Sequence, residues 1–216
     1  MTPRRTARDA VLGQADRATA LGLRIKSGYA IAVILAGSRR APAAVARHVV
    51  ALSDPDAAET RQPYHDGFGK EQEDAREIAR RVGIVRRCAS RGIAALMQNI
   101  RGTQPDAFDG VSRNGLRRAG LVVGSVIDPQ QVANPHIRAH ASEGRLFRTV
   151  VEEALRAHGV ACTILVEKHL TTTAADALGR DEPAIKRTLG ELGKALGGPW
   201  RADDKAAAIA AWLALT

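Results

Sequence analysis

Two aspartates, Asp203 and Asp204, open an apolar run that reaches Leu215 through Ala206-Ala-Ala-Ile-Ala-Ala-Trp212. Adjacent carboxylates at the start of a helix are suited to gathering a hard divalent cation such as Mg²⁺. The same pair equally suits capping of the helix and favourable interaction with its macrodipole. A second group, His136, His140 and Glu143, recurs at i, i+4 and i+7, which places all three on one helical face and permits a metal site. The usual two-histidine helical zinc motif carries a glutamate directly after its first histidine, and Ile137 stands there instead. Asn134-Pro135 marks the helix start, where polar residues are expected in any case. Arg138, Arg145 and Arg148 lie on the same segment and suit phosphate contact or plain solvent exposure.

The stretch Thr60-Arg-Gln-Pro-Tyr-His-Asp-Gly-Phe-Gly69 gathers Tyr64, His65, Asp66 and Phe68 between proline and glycines. Such a loop can stack on bases and hold phosphates, or it can lay Tyr64 and Phe68 over the core beside a neighbouring helix. No serine sits in a nucleophile-elbow pattern, and neither a P-loop nor a dinucleotide fingerprint occurs. Cys88 and Cys162 stand in apolar runs without CxxC spacing, which argues against a disulfide framework or a cysteine zinc site and for a reducing compartment.

The elements that must position these residues follow from the hydrophobic pattern. Leu21 to Gly37 is an apolar, β-branched run with Lys26-Ser27-Gly28 at a bend, which predicts a hairpin. Ala44 to Leu52 reads as a third strand, with a helix starting at Ala43 as the alternative. Ile78, Val82, Val85, Ala89, Ile93, Leu96 and Ile100 recur at three- and four-residue steps, predicting an amphipathic helix over 70–100, with a break at Gly83 or Gly92. A polar loop follows over 102–114. Leu116 to Asp128 reads as a buried strand ending at Asp128-Pro129, and 136–158 as a second long helix. Val160 to Val166 is a further strand, 181–196 a helix, and 203–215 the terminal helix. This order argues for an α/β fold. Residues 1–20 read as a basic arm and 21–216 as one domain.

Charge narrows the partners. The 216-residue chain carries a formal net charge of +9 with a pI near 10.3, and residues 1–50 hold nine Arg and Lys against two Asp. A positive field of this kind favours a polyanion, DNA or RNA, through phosphate neutralisation and counterion release. Met1 to Ala20 is interrupted by Arg4, Arg5, Arg8, Asp9, Asp16 and Arg17, so neither a signal peptide nor a membrane span is expected, and a cytoplasmic location follows.

Three pieces in order resemble the RuvC-type Holliday junction resolvases of the ribonuclease H-like superfamily. They are Ile25-Lys-Ser-Gly-Tyr-Ala-Ile-Ala-Val33, similar to that family's first hairpin; Ile137-Arg-Ala-His-Ala-Ser-Glu-Gly-Arg-Leu-Phe147, placed like its long helix after the fourth strand; and Asp203-Asp204-Lys-Ala-Ala-Ala-Ile-Ala-Ala-Trp-Leu213, similar to its last helix. The resemblance implies a ribonuclease H-like mixed sheet flanked by helices. It also implies an acidic site that holds two Mg²⁺ ions to cut nucleic acid, and action as a homodimer. Asp203 and Asp204 match that site. Asp128 would supply the acid at the end of the fourth strand, with Gly124 or Ser125 competing for the position. Lys26 stands where the family places its first metal-binding aspartate, and an ammonium repels Mg²⁺.

Three readings follow. The first is a RuvC-like nucleic-acid-binding protein without standard two-metal catalysis and without a cofactor. There Lys26 pairs with Asp203 or Asp204 or contacts a phosphate, and Arg24, Arg138, Arg145 and Arg148 contact nucleic acid. The second is an Mg²⁺-dependent nuclease with ligands relocated among Asp128, Glu143, Asp203 and Asp204. The third is a non-enzymatic interaction or assembly protein whose basic charge is incidental.

Overall fold

The computed structural model describes residues 18–67, 69–103 and 115–215. The expected basic arm therefore lies outside the described residues through position 17, and Ala18 to Ala20 already belong to the first strand. Phe68 and most of the loop expected over 102–114 also lie outside them.

Five strands, β1 (Ala18–Lys26), β2 (Tyr29–Gly37), β3 (Pro42–Ala51), β4 (Arg118–Val123) and β5 (Ala161–Val166), form one mixed sheet in the order β3-β2-β1-β4-β5. β1, β2 and β3 run antiparallel in turn, whereas β4 and β5 are parallel to β1. This is the ribonuclease H-like order, a hairpin-built half joined to a parallel half through its first strand. The hairpin pairs Lys26 with Tyr29 across Ser27-Gly28, and Gly28 sits at φ +85°, the conformation a type II turn requires of its third residue. The helical alternative for 43–48 does not form. Those residues pair with β2 along its whole length, with one bulge at Ile34/Leu35.

Among the described residues there are five α-helices: α1 (Ala75–Thr103), α2 (Pro135–Ala157), α3 (Leu170–Leu178), α4 (Glu182–Leu196) and α5 (Ala202–Ala214). The strand alternation distributes them over two faces. Leu21, Leu23 and Ile25 of β1, with Ala30, Ala32 and Ile34 of β2, bury against Val85, Ile93, Met97 and Ile100 of α1 and Phe147, Val150 and Val151 of α2. The opposite parity, Ala20, Ile31, Val33, Leu35 and Val122, packs under α3, α4 and α5. Strands buried on both faces read as continuous apolar runs, which is why 29–37 shows no polar alternation. α1 is uninterrupted at both glycines. Gly92 is used for close approach, because a Cβ there would stand 2.6 Å from the Ala51 carbonyl oxygen. Helix α3 had no counterpart in the sequence reading, since nine residues with two buried side chains present too short a period. No helix among the described residues is long and apolar enough to cross a membrane.

α5 lies unusually near the sheet. A Cβ at Gly22 of β1 would stand 1.9 Å from the Ala207 carbonyl oxygen, and one at Gly120 of β4 would stand 2.6 Å from that of Ala210. Ala206 to Ala211 are all buried, so small side chains meet missing ones. The far end of the helix is tied by Arg39, whose Nε donates to the Leu215 carbonyl at 2.7 Å and whose backbone carbonyl accepts from Trp212 Nε1 at 2.8 Å. Gly22→Ala or Gly120→Ala should cost about 2–3 kcal/mol or more in urea unfolding, the range of overpacked cores. Gly190→Ala in α4, where a Cβ meets nothing within 4 Å, should instead stabilise by about 0.5–1 kcal/mol.

Candidate functional site: the strand heads and a histidine cluster

The carboxyl ends of β1, β4 and β5 lie side by side, the usual place for ligands in a parallel α/β half. Arg24 and Lys26 point to the α5 face there, two residues apart on β1, and the seating of α5 on Gly22 brings its first turn beside them. Lys26 Nζ is 3.6 Å from Asp203 Oδ1, and Arg24 Nε is 3.5 Å from the same oxygen. Arg24 Nη2 also donates to Glu167, just past β5, and Nη1 donates to the Ile25 carbonyl at 2.9 Å and more weakly to that of Val122 at 3.4 Å. Arg24 is only 4% exposed. It was expected to contact nucleic acid, but its place beneath the surface makes it a counter-ion for two carboxylates. Lys26, at 38% side-chain exposure, is the cation of this group that solvent reaches.

Asp204 turns the other way. It is 1% exposed, takes the Arg201 backbone N–H on Oδ2 at 2.7 Å, and accepts the Arg47 guanidinium from β3 on Oδ1. Half of a capping box is thus joined to an ion pair. Asp128 does not close a site with these two. β4 ends at Val123, and Asp128, five residues later, caps the short 3₁₀ turn Pro129–Gln131 by accepting from Gln130 N, with Arg145 3.7 Å away. Asp128-Pro129 opens this turn rather than ending the strand. Among the described residues Asp128, Asp203 and Asp204 form no three-carboxylate cluster.

Arg138, another expected nucleic-acid contact, is engaged within the fold. It forks onto both oxygens of Glu71 and donates to the Val132 carbonyl at 3.2 Å. Arg145 is 58% exposed, and Arg148 is half-buried on the same helix.

On the α1/α2 side, the loop 62–72 folds back on itself. Gln72 N donates to the Tyr64 carbonyl and Asp66 N to that of Lys70, with Gly67 and Gly69 at positive φ between them. Three ties fasten it: Arg81 of α1 donates to the His65 carbonyl at 2.7 Å, Arg138 holds Glu71, and the His65 ring meets α2. His65 Nδ1 is within hydrogen-bond distance of Glu143 Oε1 at 2.7 Å, and its Nε2 lies 3.3 Å from His136 Nδ1. The His140 ring centroid stands 4.4 Å from that of His65 and 4.5 Å from that of His136. One nitrogen from each imidazole can be chosen so that all three lie within 4.8 Å of one another. His65 and Glu143 are buried, while His136 and His140 face solvent. Burial pushes the Glu143 carboxyl up to about 7, with His140 and the Tyr64 amide offsetting part of that. Burial also lowers the His65 imidazole below its ordinary value.

The periodicity that singled out His136, His140 and Glu143 is therefore real, but their roles divide. Glu143 lies behind the histidines, and the third imidazole of the cluster is the buried His65, 71 positions before His136. A periodic pattern reads only one element. The sole sequence signal for His65 was the density of polar and aromatic residues in its loop.

No family model and no curated protein sequence matches this chain. Among solved structures it is similar to Thermus thermophilus RuvC in complex with a Holliday junction substrate, at 13% identity over 91% of each chain with a TM-score of 0.49. It is likewise similar to a structure of Thermus thermophilus RuvC, at 11% identity over 90% of this chain and 92% of that one, with a TM-score of 0.48. These belong to the family that the sequence motifs resemble.

The two ion groups at the strand heads should both contribute to stability. Asp204→Ala removes a helix cap and leaves the Arg47 guanidinium without its carboxylate, so a loss of about 2–3 kcal/mol is expected in urea unfolding. Arg24→Met removes one partner and leaves Asp203 and Glu167 without the guanidinium they share, so a loss of about 1–3 kcal/mol is expected, below that of a fully buried pair because both carboxylates reach solvent.

Proposed function

We propose that this chain is a ribonuclease H-fold nucleic-acid-binding protein whose strand-head acids serve ion pairs rather than Mg²⁺ ions. The observation that carries the reading is the Lys26 ammonium beside Asp203, with the Arg24 guanidinium on the same oxygen. Mg²⁺ takes oxygen ligands at about 2.0–2.1 Å in near-octahedral geometry. Asp203 and Asp204 each already have a cation in that place, and Arg24 cannot lose its proton. The residues present do not fit the two-metal centre that the family resemblance implies, and no hydrolytic step is derived through one.

What the residues can do instead is hold a phosphate. The net charge of +9 draws a polyanion towards the surface from a distance. Lys26 is long, partly exposed and held to Asp203 at 3.6 Å, looser than a hydrogen bond, so it can swing to a phosphate oxygen. Arg24 stays behind to neutralise Asp203 and Glu167, which keeps the phosphate from meeting two bare carboxylates. Arg145 and Arg148, on the outer part of α2, are the other expected phosphate contacts. Phosphate contacts of this kind position a nucleic acid without reading its sequence.

The test is binding of duplex, single-stranded and four-way-junction DNA and of RNA across a salt series, with and without Mg²⁺ or Mn²⁺, with products scored in the same samples. Binding that weakens linearly in log salt, with no cut strands, is expected. Lys26→Ala should reduce the salt slope by about 0.7–0.9, the loss of one phosphate contact. Metal-dependent cutting that disappears in Asp204→Ala would overturn the reading in favour of a divergent nuclease. Absence of binding at low salt would overturn it in favour of an interaction protein.

A further inference from the structure

The geometry points to a divalent transition-metal site of the zinc class, formed by His65 from the 62–72 loop and His136 and His140 from α2, with Glu143 as the carboxylate that orients them. Imidazole nitrogens suit zinc, copper, nickel and iron, whereas Mg²⁺ and Ca²⁺ take oxygens. Two nitrogens on one tetrahedral Zn²⁺, each at about 2.0–2.1 Å, stand roughly 3.3–3.4 Å apart. His65 Nε2 and His136 Nδ1 are 3.3 Å apart. His140 is exposed on the helix surface and offers a nitrogen within 4.8 Å of those of His65 and His136.

Glu143 supplies the second, independent observation. Its Oε1 lies 2.7 Å from His65 Nδ1, so that as a carboxylate it would take the Nδ1 proton and leave the Nε2 lone pair facing His136. This is the carboxylate–histidine arrangement found behind metal-bound imidazoles. Its Oε2, on a residue only 1% exposed, has no hydrogen-bond partner and lies 3.4 Å from His140 Nδ1. A metal on His140 Nε2 would leave Nδ1 carrying its proton, and that N–H is the donor the orphaned oxygen lacks. One buried carboxylate would then orient two of the three ligands.

His136 and His140 are open to solvent, and a groove of about 440 Å³ lined by His65, His136, Gln62 and Arg81 adjoins them. The fourth coordination position therefore faces water, the pattern of an open zinc site. Binding would also fasten the loop to α2, since two of its ligands come from the helix and one from the loop. The inference does not depend on nucleic-acid binding at the strand heads.

The test uses untagged full-length protein stripped with a chelator and titrated with Zn²⁺ by calorimetry, with Co²⁺ as the spectroscopic probe. One equivalent of Zn²⁺ per chain and the visible bands of four-coordinate Co²⁺ are expected. His136→Ala and His140→Ala change exposed side chains, so the fold should be retained by circular dichroism while affinity falls by at least about 100-fold. Glu143→Gln, which keeps shape but not charge, should weaken binding by about 10–100-fold. Zn²⁺ binding unchanged in His136→Ala and His140→Ala, or no Zn²⁺ binding by the wild-type chain, would overturn the proposal.

Discussion

The approach of α5 to the sheet over Gly22 and Gly120 is the constraint on which the rest of the arrangement depends. Close-packed interiors tolerate little change in volume, and here the contact is backbone against backbone. The run Ala206 to Ala211 is read most simply as the consequence, since any larger side chain on the sheet-facing side would lift the helix. Once the helix is seated, its first turn falls beside the head of β1. Asp203 and Asp204 are thereby placed by packing before any chemistry is asked of them.

Electrostatics then determines what these acids can do. A buried guanidinium such as Arg24 loses hydration worth several kcal/mol, and only opposite charges and carbonyl oxygens at close range compensate. Asp203, Glu167 and the Ile25 carbonyl supply them. The requirement runs both ways: the carboxylates that compensate Arg24 are themselves held by its charge. Lys26 completes the exchange at the surface, where its charge stays in contact with water and remains movable. The same scaffold order that a metal nuclease would use thus supports a surface of fixed ion pairs with one mobile cation.

Much of this was legible in the residues. The hairpin at Lys26-Ser27-Gly28, the two long helices and the α/β order follow from local periodicity and turn chemistry, and the family resemblance offered a pairing of Lys26 with Asp203 or Asp204 beside contact with a phosphate. Three features escaped. Asp128 is near the end of β4 in sequence but beyond it in space, because strand length is set by pairing with β1 and β5 rather than by the apolar run. Arg24 and Arg138 pair with carboxylates of other elements, and nothing local in their own segments separates such an ion pair from a surface contact. His65 reaches His136 and His140 because a loop ahead of α1 is fastened to α1 by Arg81 and to α2 by Arg138, a relation between elements that no single-element pattern contains.

The two chemical groups occupy different layers, the ion pairs on the α5 side and the histidines on the α1/α2 side. The central claim, that the strand-head acids are committed to cations of the chain itself, is open to direct observation by Mn²⁺ titration with paramagnetic broadening of assigned backbone amides. At substoichiometric Mn²⁺ the amides of Lys26, Asp203 and Asp204 should keep their intensity. Broadening centred on those three residues would place a metal ion among them and contradict the account.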